Sequence, residues 1–253
     1  MNAENLRSWE RYTASESLKR FSIRFLAAGI LVWAALTVDI YWPFTLDAPA
    51  QAADLLQRMT PPAWPYFGDI LPVLIETINI ATLSTIVATG LAIPVAIISA
   101  ANLTPNRTVM AIGRFIIVGS RSVNELVWGL LFVVFLGPGA LAGVAALSFR
   151  SIGFMGKLVA EAIEEIDPGQ VEAIQATGAG KIKLFIYGIL PQVMPAILGT
   201  AIFRWDINIR QSAVIGLVGA GGIGVALSNS MDMFRWDYVS IILIAIFLVV
   251  LAV

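Results

Sequence analysis

Cysteine and histidine are both absent from the 253 residues. Without cysteine there is no disulfide framework, no thiolate metal site and no thiol nucleophile. Without histidine the commonest general base and the commonest metal ligand are missing as well. Charge is scarce: Asp, Glu, Lys and Arg make up 13% of the chain, where a soluble domain carries about 25%. The net charge of −1 leaves no basic footprint for nucleic acid. Apolar residues take this room, at 58% of the sequence and a mean hydropathy of +0.83. They gather into runs near the roughly 20 residues that cross a bilayer, so the expected fold is an all-α polytopic integral membrane protein of about six transmembrane helices.

The opening MNAENLRSWERYTASESLKR mixes both charges and lacks the apolar core and small-residue cleavage site of a signal peptide. Residues 1–20 are expected to form a cytoplasmic N-terminal segment, and 21–42 a retained first transmembrane helix ending in the interface-seeking pair Tyr41-Trp42. Residues 43–70 hold Pro43, Pro49, Pro61, Pro62 and Pro65 and read as a periplasmic loop. Residues 71–253 form the core. A second span runs from Leu71 to Ala101 with a tolerated Pro94, and a third from Val109 to Leu136 with a polar, broken first half. After the Gly137-Pro138-Gly139 turn come spans at Ala140–Val159, at Pro195–Val218 and from Tyr238 onward. The last run stops at Val253, short of a core of about 30 Å at 1.5 Å per residue, so the natural chain is expected to continue.

Lys and Arg placement orients this arrangement. With the N-terminus inside, the inner segments hold Arg7, Arg11, Lys19, Arg20, Arg24, Arg107, Arg114, Lys157, Lys181 and Lys183, and the outer segments only Arg58 and Arg235. Both termini and the loop at about 157–190 are thereby expected in the cytoplasm.

That loop contains the stretch from Val171 to Val193, a polar, glycine-bearing interruption between apolar runs. Lys157 to Ile166 reads as a short amphipathic helix with Leu158, Ala162 and Ile166 on one face and Glu161, Glu164 and Glu165 on the other. Asp167-Pro168 has the form of an N-cap followed by a first-turn proline, opening a second helix to about Thr177. Glu172 is expected near the positive end of that helix, and Gly178 and Gly180 permit a sharp turn. An ordinary solvated loop is the bland alternative.

Glu172-Ala173-Ile174, Gly178 and Leu190-Pro191 resemble the E-A-A-x3-G-x9-I-x-L-P loop of ABC-importer permeases. The resemblance implies coupling helices that seat in a groove of an ATPase subunit, carried here by Glu172, Ala173, Gly178, Leu190 and Pro191. Two positions depart: Ile174 replaces the second Ala, and Gly188 takes the Ile slot with Ile189 beside it. Three further stretches, Ser120–Gly139, the EAIEEIDPGQVEAIQATGA segment and Arg204–Gly224, resemble the permease of phosphonate importers over most of the chain from Leu71. The resemblance implies a type I importer fold in the bacterial inner membrane and a permease homodimer. It also implies two cytoplasmic ATPase subunits and a periplasmic phosphonate-binding protein. Such a chain would be no enzyme and bind no cofactor, ATP and Mg belonging to the partner ATPase. Phosphite, phosphate or another small solute is the alternative cargo, and a secondary transporter the alternative of another class.

Two nucleotide motifs fail on their residues. ATGAGKIK lacks the P-loop's first Gly and final Ser or Thr, since Gln175 and Ile182 stand there. Gly219-Ala220-Gly221-Gly222-Ile223-Gly224 satisfies G-x-G-x-x-G, but the apolar run before it belongs to a span and no βαβ unit surrounds it. Gly219, Gly221, Gly222 and Gly224 are instead expected to pack helices closely or form an outer gate. Charges inside spans are costly and face a bundle interior or an aqueous cavity. The candidates for a substrate pathway are Arg121, Asn124, Glu125, Arg204, Asp206, Asn208 and Arg210. Arg121 with Glu125, and Asp206 with Arg210, are four apart and able to pair. Arg210 or Arg121 is the expected oxyanion contact, and Glu76 the expected interface residue.

Overall fold

The computed structural model describes residues 12–38, 41–104 and 106–253; the first eleven residues, with Arg7 and Arg11, lie outside them. The chain divides into two compact units, Met1–Asp54 and Leu55–Val253. Every element among the described residues is helical.

In the first unit, α1 (Ala14–Thr37) begins where Glu16 Oε2 accepts the Thr13 N–H at 3.1 Å. It is long and apolar enough to cross a bilayer from Ser15 to Thr37. It ends before Tyr41-Trp42, which lead instead into α2 (Trp42–Arg58). Thus part of the proline-bearing segment read as a loop is a helix: Pro43 falls in its first turn, where the missing N–H costs nothing.

The second unit is a bundle built on α3 (Phe67–Ser99) and α6 (Ala140–Glu164), with α9 (Leu190–Ile215) against both. In lipid no hydrophobic gain separates helix from solvent, so close packing must hold helices together. The sequence supplies it with small residues. Ala81, Ala88, Ala92 and Ala96 are buried on α3, and Ala142, Gly143, Ala146, Gly153 and Gly156 on α6, where Gly153 faces α4. Ile80, Leu147, Met155 and Ile163 fill the gaps between them. α3 runs unbroken through Pro94.

The run read as the third span is two helices, α4 (Arg107–Ser122) and α5 (Glu125–Leu136), that meet at 96°. α6 extends through Lys157–Glu164, so no separate amphipathic helix exists there; its buried side is Val159, Ala160 and Ile163, with Ala162 and Ile166 packed against the same core and Leu158 exposed. The two short helices α7 (Pro168–Ala176) and α8 (Lys181–Leu184) and one π turn (Phe185–Ile189) lead into α9. Lys181–Val218 is long enough to cross as one piece. α10 (Ile223–Asp232) and α11 (Trp236–Ala252) complete the bundle; α11 is apolar and shorter.

Candidate functional site

At one end of the bundle α7 and α8 form a knob. Asp167 caps α7 by accepting the Gly169 N–H at 2.9 Å, with Pro168 at the first helical position. Val171 and Ile174 turn inward, while Glu172, Ala173 and Gly178 are exposed. Glu172 lies one turn further along than the helix start, beyond the reach of the macrodipole, so it acts through the surface it presents. The turn out of α7 places Gly178 at φ +79°, a region costly for any side chain.

The two departures from the permease pattern face each other here. A Cβ on Gly188 would stand 3.5 Å from Val171 Cα and 3.8 Å from Ile174 Cγ1. The larger Ile174 therefore occupies room that a larger residue at 188 would need, and the adjacent Ile189 is the buried one, 2% exposed. Leu190 packs against the core and Pro191 opens α9. Gln192, which sequence reasoning passed over, ties the knob to α9. Its Oε1 accepts the Asp167 N–H at 2.9 Å, and its Nε2 donates to the Gly188 carbonyl at 2.7 Å and the Asp167 carbonyl at 3.4 Å. On the same end Asn102 Nδ2 donates to the Ile163 carbonyl and Glu164 accepts the Ala101 N–H at 2.7 Å, fixing the loop between α3 and α4.

Midway along α6 a chain of polar side chains crosses the bundle. Asn208 Nδ2 donates to Thr85 Oγ1 at 2.9 Å and to Ser84 Oγ at 3.4 Å. Ser151 Oγ lies 3.3 Å from Asn208 Oδ1 and accepts from Arg204 Nε at 2.8 Å. Arg204 NH2 donates to Gln211 Oε1, and Gln211 Nε2 to Glu125 Oε1, both at 3.0 Å. Glu125 Oε2 then lies 3.1 Å from Arg150 Nε, an ion pair without hydrogen-bond alignment. Arg150 also donates to the carbonyls of Arg121 at 2.9 Å and Val123 at 3.0 Å.

This chain explains the break. A helix that stops within a membrane strands its last carbonyls and the next helix's first N–H groups. Arg150 satisfies the carbonyls at the end of α4, and Asn124 Oδ1 accepts the Leu126 N–H at 2.9 Å to cap α5. Asn124 is thus a capping residue. Glu125 pairs with Arg150, not Arg121, because the 96° bend puts Arg121 and Glu125 on different helices. Arg150, Gln211, Ser151, Ser84 and Thr85 were the missed members. The signal for Arg150 was a cation ten residues into an apolar run.

The charges sort themselves by geometry. Arg204, 4% exposed, has only neutral acceptors in hydrogen-bond contact, so two guanidinium groups and one carboxylate leave the chain with one surplus positive charge. Arg210 is clamped by Asp206 at 2.9 and 2.6 Å. Arg121, exposed at the end of α4, makes no side-chain hydrogen bond or ion pair among the described residues. It stands level with Gly153, near the middle of α6: a Cβ there would meet Arg121 Cγ at 3.0 Å.

At the end away from the knob, the Gly219–Gly224 stretch is a tight connection between α9 and α10, with Gly219, Gly221 and Gly222 at φ +88°, +82° and +71°. Thr77 Oγ1 accepts the Ile223 N–H at 2.7 Å, and the Gly139 N–H donates to the Gly219 carbonyl at 2.9 Å, binding this turn to α3 and to the α5–α6 turn. Glu76 is part of it: its Oε1 accepts the Gly222 N–H at 3.3 Å. A cavity of about 640 Å³ opens beside the turn, bounded by Glu76, Asn229, Arg235 and Tyr238.

Membrane-length apolar helices and a bent helix pair whose ends are satisfied within the chain describe a multi-pass membrane protein. The profile of the family "Binding-protein-dependent transport system inner membrane component" matches residues 92–253, and the chain belongs to that family. It is 36% identical over 246 residues to a phosphate-import permease protein, PhnE, of Mycolicibacterium smegmatis, covering 94% of this chain and 46% of that protein. The chain thus spans about half the length of that relative. It is 38% identical over 229 residues to a phosphite transport system permease protein, PtxC, of Stutzerimonas stutzeri, covering 88% of this chain and 83% of that protein. Among solved structures, the inward-facing MetNI methionine ABC transporter shares the fold, with a TM-score of 0.55 at 24% identity over 75% of this chain and 98% of that one. The fold is that of a type I ABC importer permease.

Proposed function

We propose that this chain is the permease subunit of an ATP-driven importer carrying phosphonate, or a related small oxyanion such as phosphite or phosphate, across the inner membrane. The observation that carries the reading is the exposed Arg121 side chain, without a hydrogen bond or ion pair among the described residues and level with the middle of α6, beside a polar chain with one surplus positive charge. A guanidinium presents a fork of donors to a tetrahedral oxyanion. One such group attracts the anion, while a cluster would trap it. The similarity to permeases named for phosphate and phosphite supports the same class.

Lys and Arg placement puts the knob and the N-terminus in the cytoplasm and the Gly219–Gly224 turn outside. Two ATPase subunits, which bind ATP and Mg, take Glu172, Ala173 and Gly178 into their grooves; a periplasmic binding protein delivers the cargo. The Asp206–Arg210 pair lies on a stripe of α9 with exposed Phe203 and Val214. A second copy of the chain covers that stripe better than lipid, since charged pairs are costly against hydrocarbon. When the ATPases close, the knob moves α9 through Gln192 and Leu190. α9 carries Arg204 and Gln211, whose bonds run to the α4–α5 break, so the displacement reaches Arg121 and access alternates.

Reconstitution with the ATPase and binding protein in proteoliposomes tests this. Uptake of labelled phosphonate is expected only with internal ATP; uptake without the ATPase overturns the reading in favour of a secondary transporter. Arg121→Ala is expected to slow uptake about tenfold or more, the worth of a charge-assisted hydrogen bond. The double variant Asp206→Ala/Arg210→Ala, which removes a self-neutralised pair, should change it far less. Normal uptake by Arg121→Ala would take Arg121 out of the pathway.

Gln192→Ala removes both bonds between Asp167 of the knob and α9, and the local bond to the Gly188 carbonyl. ATP hydrolysis is expected to continue while the amount of cargo carried per ATP falls. An unchanged ratio would mean that packing alone makes the junction rigid.

A further inference from the structure

α2 is exposed along its whole length, from Trp42 to Arg58, and the transport reading gives it no task. At 100° per residue its side chains separate into two stripes. Trp42, Leu46, Pro49, Ala53 and Leu56 fall on one side; Asp47, Gln51, Asp54 and Arg58 fall on the other, with Phe44 and Leu55 on one shoulder between. Trp42, Leu46 and Leu56 are 64%, 77% and 63% exposed among the described residues.

Such a helix needs something to cover it, and the chain itself names the candidate. Residues 38–41 are all that separates α1, a membrane-crossing helix, from α2. Fully extended, that connection reaches less than about 20 Å. The start of α2 is therefore held close to the depth at which α1 leaves the hydrocarbon. Tyr41, Trp42 and Phe44 cluster at this point, Tyr41 and Phe44 with ring centroids 5.1 Å apart, and aromatic side chains favour that boundary. α2 cannot itself cross: its 17 residues carry Asp47, Asp54 and Arg58, and a crossing needs about 20 apolar ones. A helix of two stripes and low overall hydrophobicity lies in the interface plane.

We propose that α2 is a membrane-surface helix, its Trp42–Leu56 stripe sunk among lipid headgroups and upper acyl chains and its Asp47–Arg58 stripe facing water. Its charges give no preference for anionic lipid, so the partner is the bilayer boundary of zwitterionic or mixed lipid. The N-inside orientation makes this the outer leaflet, but the lipid contact does not depend on that orientation or on the cargo.

The absence of native cysteine permits a direct test in the full chain, assembled with its ATPase in phosphatidylcholine liposomes. Nitroxide labels are placed singly in Leu46→Cys, Ala53→Cys, Asp47→Cys and Gln51→Cys, and their collisions with oxygen and with a water-soluble nickel chelate are compared. The expected result is a reversal along the helix: oxygen favoured at 46 and 53, nickel at 47 and 51. High nickel access at all four positions would show a helix free in water. Low access to both reagents at 46 and 53 would show a protein partner, such as a second copy, over the stripe. Either result overturns the proposal, as does loss of the alternation, and retained ATPase activity in each labelled chain excludes misfolding as the cause.

Discussion

Glu172→Lys is expected to abolish ATP-driven uptake while leaving the permease folded and inserted. Glu172 projects from the exposed side of α7, whereas Val171 and Ile174 make the inward contacts. Asp167, Gly178 and Gln192 hold the knob's shape without it. The substitution therefore removes no internal side-chain bond among the described residues and leaves the helix otherwise intact. It reverses one charge on the surface offered to the ATPase, and like-charge placement across an interface costs several kcal/mol. Co-purification of the ATPase should be lost at unchanged levels of membrane-inserted permease, and Glu172→Gln should fall between. Normal association together with normal uptake would remove Glu172 from the docking surface.

The second large effect is expected at Gly224. There the start of α10 presses on the end of α9: an added Cβ would collide with the Ala213 carbonyl oxygen and stand 2.7 Å from Gly216 Cα. Both obstacles are backbone, so no rotamer change relieves them. Overpacking of a tight site costs about 1–3 kcal/mol and occasionally more; at Gly224→Ala the upper end is expected, because the Gly219–Gly224 turn is also fastened to α3 and to the α5–α6 turn. The thermal midpoint of the detergent-purified permease should fall by several degrees and its yield with it. Gly199→Ala, on α9 with nothing near its added methyl group, is the matched control and should be neutral or mildly stabilising. Equal behaviour of the two variants would contradict the close approach at Gly224.

Some of the site was legible as residues. Asp167-Pro168 announced the start of α7, and a polar stretch between Val109 and Leu136 announced a broken span; both signals are local, set by caps and composition. On the Lys157–Ile166 segment periodicity found Ala162 and Ile166, which pack against the core, but missed Val159, Ala160 and Ile163, which α6 buries, because the full stripe is fixed only when the neighbouring helices are known. Arg121 and Glu125 looked like partners on one helix, and the 96° bend separated them. Arg210 looked available for an anion, but Asp206 occupies it on both nitrogens. Gln192, Gln211 and Arg150 gave weak signals because an uncharged amide or a single cation in an apolar run acquires meaning only from what faces it.

The sequence by itself determined that this is an all-helical, multi-pass membrane protein, and that a glycine-bearing polar loop interrupts its spans. These follow from composition and spacing, which sum along the chain and need no knowledge of contacts. Only the tertiary structure decided which charges are spent and which remain. Arg150 and Glu125 close the broken span, Asp206 neutralises Arg210, Arg204 lies among neutral partners, and Arg121 alone of these four guanidinium groups makes no hydrogen bond or ion pair through its side chain among the described residues. The physical reason is range. Burial in lipid is a property of a segment, whereas a hydrogen bond requires two groups within about 3 Å, and only the packing of distant helices brings them there.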